Sequence, residues 1–141
     1  MSTVHGCPPG LLWRHWAEWR MPTGDYGGLR YSTLDAINTT NAKDLHVVTT
    51  FSTGVPHGHE GQPLVIDNTM YVVTPYPNIL YALDLTKPGL PLKWVYRPNP
   101  DRASQGVACC DVVNRGAVYA DGKIIYNTLD NHTIADRKSV V

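Results

Sequence analysis

The sequence predicts an all-β protein, and three observations carry that reading. Charged residues make up only 17% of the chain while Gly (12), Pro (11) and Tyr (8) are abundant, the composition of a turn-rich sheet protein. Runs of β-branched and aromatic residues recur along the chain, separated by short connections. Two of those connections are the dipeptides Asp67-Asn68 and Asp121-Gly122, which suit two-residue hairpin turns whose central residues need positive φ.

Taken in order, "LLWRHWAEWR" (11–20) places Trp13, Trp16 and Trp19 at helical spacing, so a turn or two of helix packing its indoles is expected there. "GDYGGLRYSTLDAIN" (24–38) is turn chemistry followed by a short segment with helical character. "LHVVTTFS" (45–52) is β-branched and aromatic and is expected as a strand. Residues 63–74, with "DN" at their centre, predict a hairpin. "ILYALDL" (79–85) and "LKWVYRP" (92–98) predict one strand each, and 116–135 predicts two or three more around Asp121-Gly122.

Several function classes are disfavoured. Net charge is zero and the Lys and Arg residues are scattered, so there is no electrostatic footprint for nucleic acid or for a basic membrane-surface helix. No apolar run reaches the length of a membrane span. The first twenty residues do not carry a basic start, apolar stretch and small-residue cleavage site, so no secretory signal is visible.

Two segments resemble each other. "VIDNTMYVVTPYPNILYALD" and "VYADGKIIYNTLDNHTIA" share the order strand, Asp-containing turn, strand, turn, strand, at a separation of roughly fifty residues, the range of a propeller-blade repeat. A four-stranded blade cannot bury both faces alone and belongs in a closed ring of about four to eight. At 141 residues the chain holds about two blades, so an incomplete β-propeller is expected, a piece of a larger one. The expected organisation is a leader of unassigned character over 1–18, a partial propeller over 19–135, and a foreign tail over 136–141. That tail, "DRKSVV", breaks the repeat where Leu-Asp should follow, and its back-translation looks like a widely used sequencing adapter.

The chain has three cysteines, and two are adjacent, Cys109 and Cys110. Neighbouring Cα atoms lie about 3.8 Å apart, whereas ordinary disulfides span about 4.4 to 6.8 Å. A bond between them closes a small ring only by distorting the intervening peptide, and such strain concentrates at functional sites. Two small residues on opposite sides of a strand are the plainer alternative. What raises the first reading is the neighbourhood: "GVACCDVVNRG" is preceded by "GHEGQP", with glycines flanking both polar groups.

On these stretches, together with "MPTGDYGGLRYSTLDAIN" and "LYALDL", the chain resembles the quinoprotein alcohol dehydrogenases of the methanol/ethanol type over roughly residues 19–135. These are eight-bladed β-propeller enzymes that use pyrroloquinoline quinone (PQQ). The resemblance implies that Cys109 and Cys110 form an adjacent-cysteine disulfide stacking on one face of the quinone. It also implies that Arg115 binds the cofactor's edge, a role that suits a guanidinium facing carboxylates, and that Glu60 hydrogen-bonds the cofactor's periphery. It implies a calcium or lanthanide ion acting as Lewis acid, a carboxylate base for the alcohol proton, a small primary alcohol as substrate and a c-type cytochrome as electron acceptor. The metal ligands and catalytic aspartate of that family belong to later blades, so this chain is expected to have no turnover alone. A periplasmic location follows from the family and from the oxidising compartment a strained disulfide needs.

Plainer readings stand beside each of these. His57, His59 and Glu60 could be the start of a metal site if further ligands joined them. Glu60 could be an exposed acid in a glycine-rich turn, and Arg115 a surface ion-pair partner. Cys7 is assigned nothing. A non-catalytic propeller scaffold would keep the blades without needing adjacent cysteines, and a small self-contained β domain binding a metal or sugar would need a closed core within this chain.

Overall fold

The computed structural model describes residues 18–137, so Trp13, Trp16, Cys7 and 138–141 lie outside the described residues. Among the described residues, seven strands form two antiparallel sheets. The first runs β1 (Leu64–Ile66), β2 (Thr69–Val73), β3 (Leu80–Asp84) and β4 (Leu92–Tyr96) in spatial order β1-β2-β3-β4. The second runs β5 (Val118–Ala120), β6 (Lys123–Asn127) and β7 (Thr133–Arg137) in order β5-β6-β7. Each is a meander of the kind that makes a propeller blade.

The two hairpins close as the dipeptides demand. Asp67 and Asn68 take φ of 45° and 57°, and Asp121 and Gly122 take 47° and 73°. Two successive left-handed residues give the turn whose twist matches the flanking strands. Ile66 therefore pairs with Thr69, and Ala120 with Lys123. Asp136 and Arg137, the first residues of the tail expected to be foreign, pair with Ile124 and Lys123 in β7. Such pairing is made by backbone groups and is open to most sequences.

The core lies between the sheets. Leu64, Ile66, Tyr71, Val73, Leu80 and Ala82 of the first sheet cluster with Ala117, Ile124 and Tyr126 of the second, flanked by Trp94, Tyr96, Tyr119 and Ile134. β3 is buried along all five residues because both its faces are covered. Leu80 and Ala82 face the second sheet, while Tyr81 and Leu83 join Ile79 with Phe51, Val55, Met70, Val72, Leu90 and Val95 on the other side. Burial drives Tyr71's phenol up to about 12, and it raises Tyr126 further still.

Polar groups then fix how the sheets meet. Asn78, fully buried at φ 61°, accepts from Leu129 N through its side chain (2.8 Å) and from Tyr126 Oη through its backbone oxygen (3.0 Å). Thr74 Oγ1 accepts from Ile79 N at 2.9 Å, closing the same turn from within. Asp130 accepts from Asp101 N (2.9 Å), from Thr128 Oγ1 and from His132, clasping the loop after β4 to the β6–β7 turn. Those partners hold its carboxyl well below the usual carboxylate range, Thr128 contributing most. No buried side-chain polar atom among the described residues lacks a partner.

Three sequence expectations need correcting. Residues 45–52 form no strand: Val47 and Val48 are 79% and 87% exposed, and only the end of the segment is tethered. The tethers are the Phe51 ring, edge-on to Tyr81 at 5.1 Å, and Thr53 O, which accepts from Tyr81 Oη. A strand exists by pairing its backbone, and no described strand lies beside this one. Trp19 is not helical. It bridges Val65 antiparallel to β1 (Trp19 N to Val65 O 2.8 Å), while Arg20 O accepts from Tyr119 N, so residues 19–20 touch both sheets. The stretch 29–37 is exposed and without helix, and the nearest helical turn is the single 3-10 turn Ala42–Asp44.

Candidate functional site

Two loops, 53–62 before β1 and 107–117 before β5, meet at a pair of glycines. Gly116 has φ +95°, and Gln62 bridges it in parallel. A Cβ on Gly61 would lie 3.0 Å from Gly116 N and 3.1 Å from Gly116 Cα. A Cβ on Gly116 would lie 3.0 Å from Gln62 O. Only glycine on both sides permits this approach. The contact sets the residues just beyond it, Glu60 and Arg115, side by side as an ion pair, although they are 55 positions apart in sequence. The pair faces outward, the Arg115 side chain three-quarters exposed and Glu60 nearly half.

The adjacent cysteines lie on the same face. A 3-10 turn, Arg102–Gly106, is capped by Asp101, whose carboxylate accepts from Ala103 N at 2.9 Å. Ala108 N then bonds Ser104 O, and Val112 O accepts from Tyr76 N, so the segment is anchored on either side of 109–111. Between the anchors Cys109 and Cys110 are exposed, and Cys110 and Asp111 both adopt φ 67°. Consecutive left-handed residues without glycine store strain that the anchors must hold. The Cys110 thiol is raised in pKa, first by its hydrogen bond with Cys109 and then by desolvation. Arg115 pulls it down and Glu60 pushes it up, which places Cys110 within the field of both.

All four residues singled out from the sequence therefore meet on one open face. Cys109 and Cys110 stand in the structure as exposed, free cysteines. His57 and His59 do not gather a metal site. His59 Nε2 meets Thr53 Oγ1 at 3.0 Å and Nδ1 meets His57 O at 2.9 Å, and among the described residues no three His, Cys, Asp or Glu converge on a cation. Sequence reasoning missed Asn114, which lies in a hollow of about 260 Å³ with Val113, Arg115, Gly116, Asn127, Thr128 and Leu129. In the sequence it stood only as part of the "VNRG" stretch, with no role of its own. A larger hollow of about 470 Å³, around Trp19, Tyr26 and Tyr31, shares no residue with this face.

Comparison with known proteins gives a consistent picture. The family described as glucose/ethanol/alcohol dehydrogenase, β-propeller domain, with PQQ in its designation, matches residues 19–138. The lanthanide-dependent methanol dehydrogenase of Methylorubrum extorquens is 52% identical over 124 residues, 87% of this chain and 20% of that protein. The methanol dehydrogenase [cytochrome c] subunit 1 of Methylobacterium organophilum is 47% identical over 84% of this chain and 20% of its own length. A europium-containing methanol dehydrogenase structure superposes with a TM-score of 0.81 at 50% identity, covering 85% of this chain and 21% of that one. The chain thus spans about a fifth of the relatives it matches. No helix among its described residues is long and apolar enough to cross a membrane.

Proposed function

The chain belongs to the glucose/ethanol/alcohol dehydrogenase β-propeller family, and on that premise we propose that it supplies one wall of the PQQ site of a periplasmic alcohol dehydrogenase. The observation that carries this reading is the convergence of Cys109, Cys110, Arg115 and Glu60 on one exposed face from two loops. The donor set fits the cofactor, a flat molecule bearing several carboxylates. An exposed guanidinium offers a planar fork to carboxylates. The Gly61–Gly116 contact leaves no side chain standing between the two loops where a planar ring would approach. The paired cysteines are exposed, with Cys110 in the field of Arg115 and Glu60, and the proposed disulfide between them would flatten that surface.

In this reading Arg115 binds a carboxylate edge, Glu60 accepts a hydrogen bond from the cofactor's periphery, and Cys109–Cys110 cover one face against water. Bound PQQ supplies the two-electron acceptor for oxidation of a small primary alcohol of the methanol or ethanol type. The calcium or lanthanide ion, the catalytic aspartate and the docking site for a c-type cytochrome are assigned to the rest of the protein. By itself the chain is proposed to have no turnover.

The test is to replace both cysteines by serine in the full-length protein that carries this chain. Both side chains are exposed, so folding should survive. PQQ affinity is expected to fall roughly tenfold or more, the scale of one lost stacking contact, with alcohol turnover falling alongside. Unchanged PQQ retention and turnover would instead show that the cysteines are incidental and refute this reading of the wall.

A further inference from the structure

We infer that Asn114 is a positioning residue for this face: its amide fixes the turn that carries Arg115 and, through Gly116, the loop that carries Glu60. The inference rests on the reading of Arg115 and Glu60 given above and deepens it. Asn114 is only 8% exposed although it sits in a loop, and both ends of its amide are used. Oδ1 accepts from Gly116 N at 2.9 Å, reaching over Arg115, and Nδ2 donates to Asn127 O at 2.8 Å at the end of β6. Exchanging the two amide atoms would set donor against donor and acceptor against acceptor, so the arrangement is specific to one orientation.

The Arg115 side chain does not hold its own place. Its ion pair with Glu60 is exposed, and such pairs contribute little. What fixes the residue is the backbone on either side: Asn114 tied to β6, whose Ile124 and Tyr126 lie in the core, and Gly116 tied to both Asn114 and Gln62. Gly61 packs against Gly116 and Asn114 O, so Glu60 is referenced to the same point. The hollow beside Asn114 gives the turn somewhere to move once the amide is gone. A side chain unable to make both bonds would leave Gly116 N–H and Asn127 C=O without their partner, and the turn would shift to recover water.

The test is a double-mutant cycle in the full-length protein prepared free of PQQ, reading PQQ affinity by fluorescence quenching and melting temperature separately. Asn114→Ala is expected to weaken PQQ roughly tenfold, and Asn114→Ser, which retains an oxygen for Gly116 N, to weaken it less. In an Arg115→Ala background Asn114→Ala should cost clearly less affinity than in wild type, because of the two residues it positions only Glu60 remains. If Asn114→Ala does not fold, the same cycle is run with Asn114→Ser, where a smaller loss in wild type must again diminish in the Arg115→Ala background. Equal losses in both backgrounds, or a lowered melting temperature with unchanged affinity, would overturn the positioning role and leave the site reading intact. If Arg115→Ala alone leaves PQQ affinity unchanged, the site reading fails and the positioning role with it.

Discussion

Three glycines separate the two physical reasons for which a chain uses glycine, and substituting each by alanine tests the site's construction. At Gly61 the backbone is not left-handed, but a Cβ would meet Gly116 N at 3.0 Å, Gly116 Cα at 3.1 Å and Asn114 O at 3.2 Å. At Gly122 the reverse holds: φ is +73° and nothing lies within 4 Å of the added atom. Gly116 combines φ +95° with Gln62 O at 3.0 Å and Gln62 N at 3.2 Å. The obstacles at Gly61 and Gly116 are backbone atoms, so no side chain can swing aside. Overpacking of this kind costs about 1–3 kcal/mol, and an alanine forced left-handed costs about 1–2 kcal/mol. Gly61→Ala and Gly122→Ala should therefore destabilise to a similar degree, and Gly116→Ala by about 2–5 kcal/mol as both terms act together. Urea unfolding of the full-length protein reads the stability, and PQQ titration of the cofactor-free form reads the site. Only Gly61→Ala and Gly116→Ala should weaken PQQ, since only they push apart the loops bearing Glu60 and Arg115. A Gly61→Ala protein with unchanged stability and affinity would refute the close approach. A Gly122→Ala protein that loses PQQ as readily would refute the claim that the effect is local.

Asp130 gives a pH signature. Its carboxyl is held below the ordinary value by Thr128, Asp101 N and His132, so its contribution is complete above about pH 4 and is lost as pH falls through the depressed folded value. Asp130→Asn should accordingly be less stable than wild type at neutral pH, with the gap closing in acid; a gap that does not depend on pH would refute this. Asn78→Gly keeps the left-handed backbone but removes the acceptor for Leu129 N, and should cost about 1–3 kcal/mol in urea unfolding. Tyr71, raised to about 12, should stay protonated in an ultraviolet titration at pH values where free tyrosine ionises, until the protein unfolds. The chain expressed alone exposes Leu29, Val47 and Val48 almost fully, and light scattering should show concentration-dependent aggregation; a monomer with a sharp melting transition would count against that.

The blade was legible where the controlling physics is local. Asp-Asn and Asp-Gly specify left-handed turn pairs wherever they fall between β-branched runs, and both hairpins formed in the expected register. "ILYALDL" was expected as a strand, and β3 lies within it, buried along its length. The reading failed where a segment's state depends on what lies beside it. "LHVVTTFS" has a strand's composition, yet composition supplies no partner for its backbone. The spacing of Trp19 with Trp13 and Trp16 suggested a helix, but a backbone bridge to Val65 decided its conformation.

The all-β repeat and its hairpin turns can be read from the chain alone, because each depends on neighbours within a few positions. From the sequence, Glu60 and Arg115 were candidates for one cofactor with no contact between them, and Asn114 had no role. Only the tertiary structure joined them. Gly61 and Gly116 can touch only after two sheets have packed Leu64, Ala82, Ala117 and Ile124 between them. Contacts between residues 55 positions apart are set by that packing, and no local pattern encodes the distance.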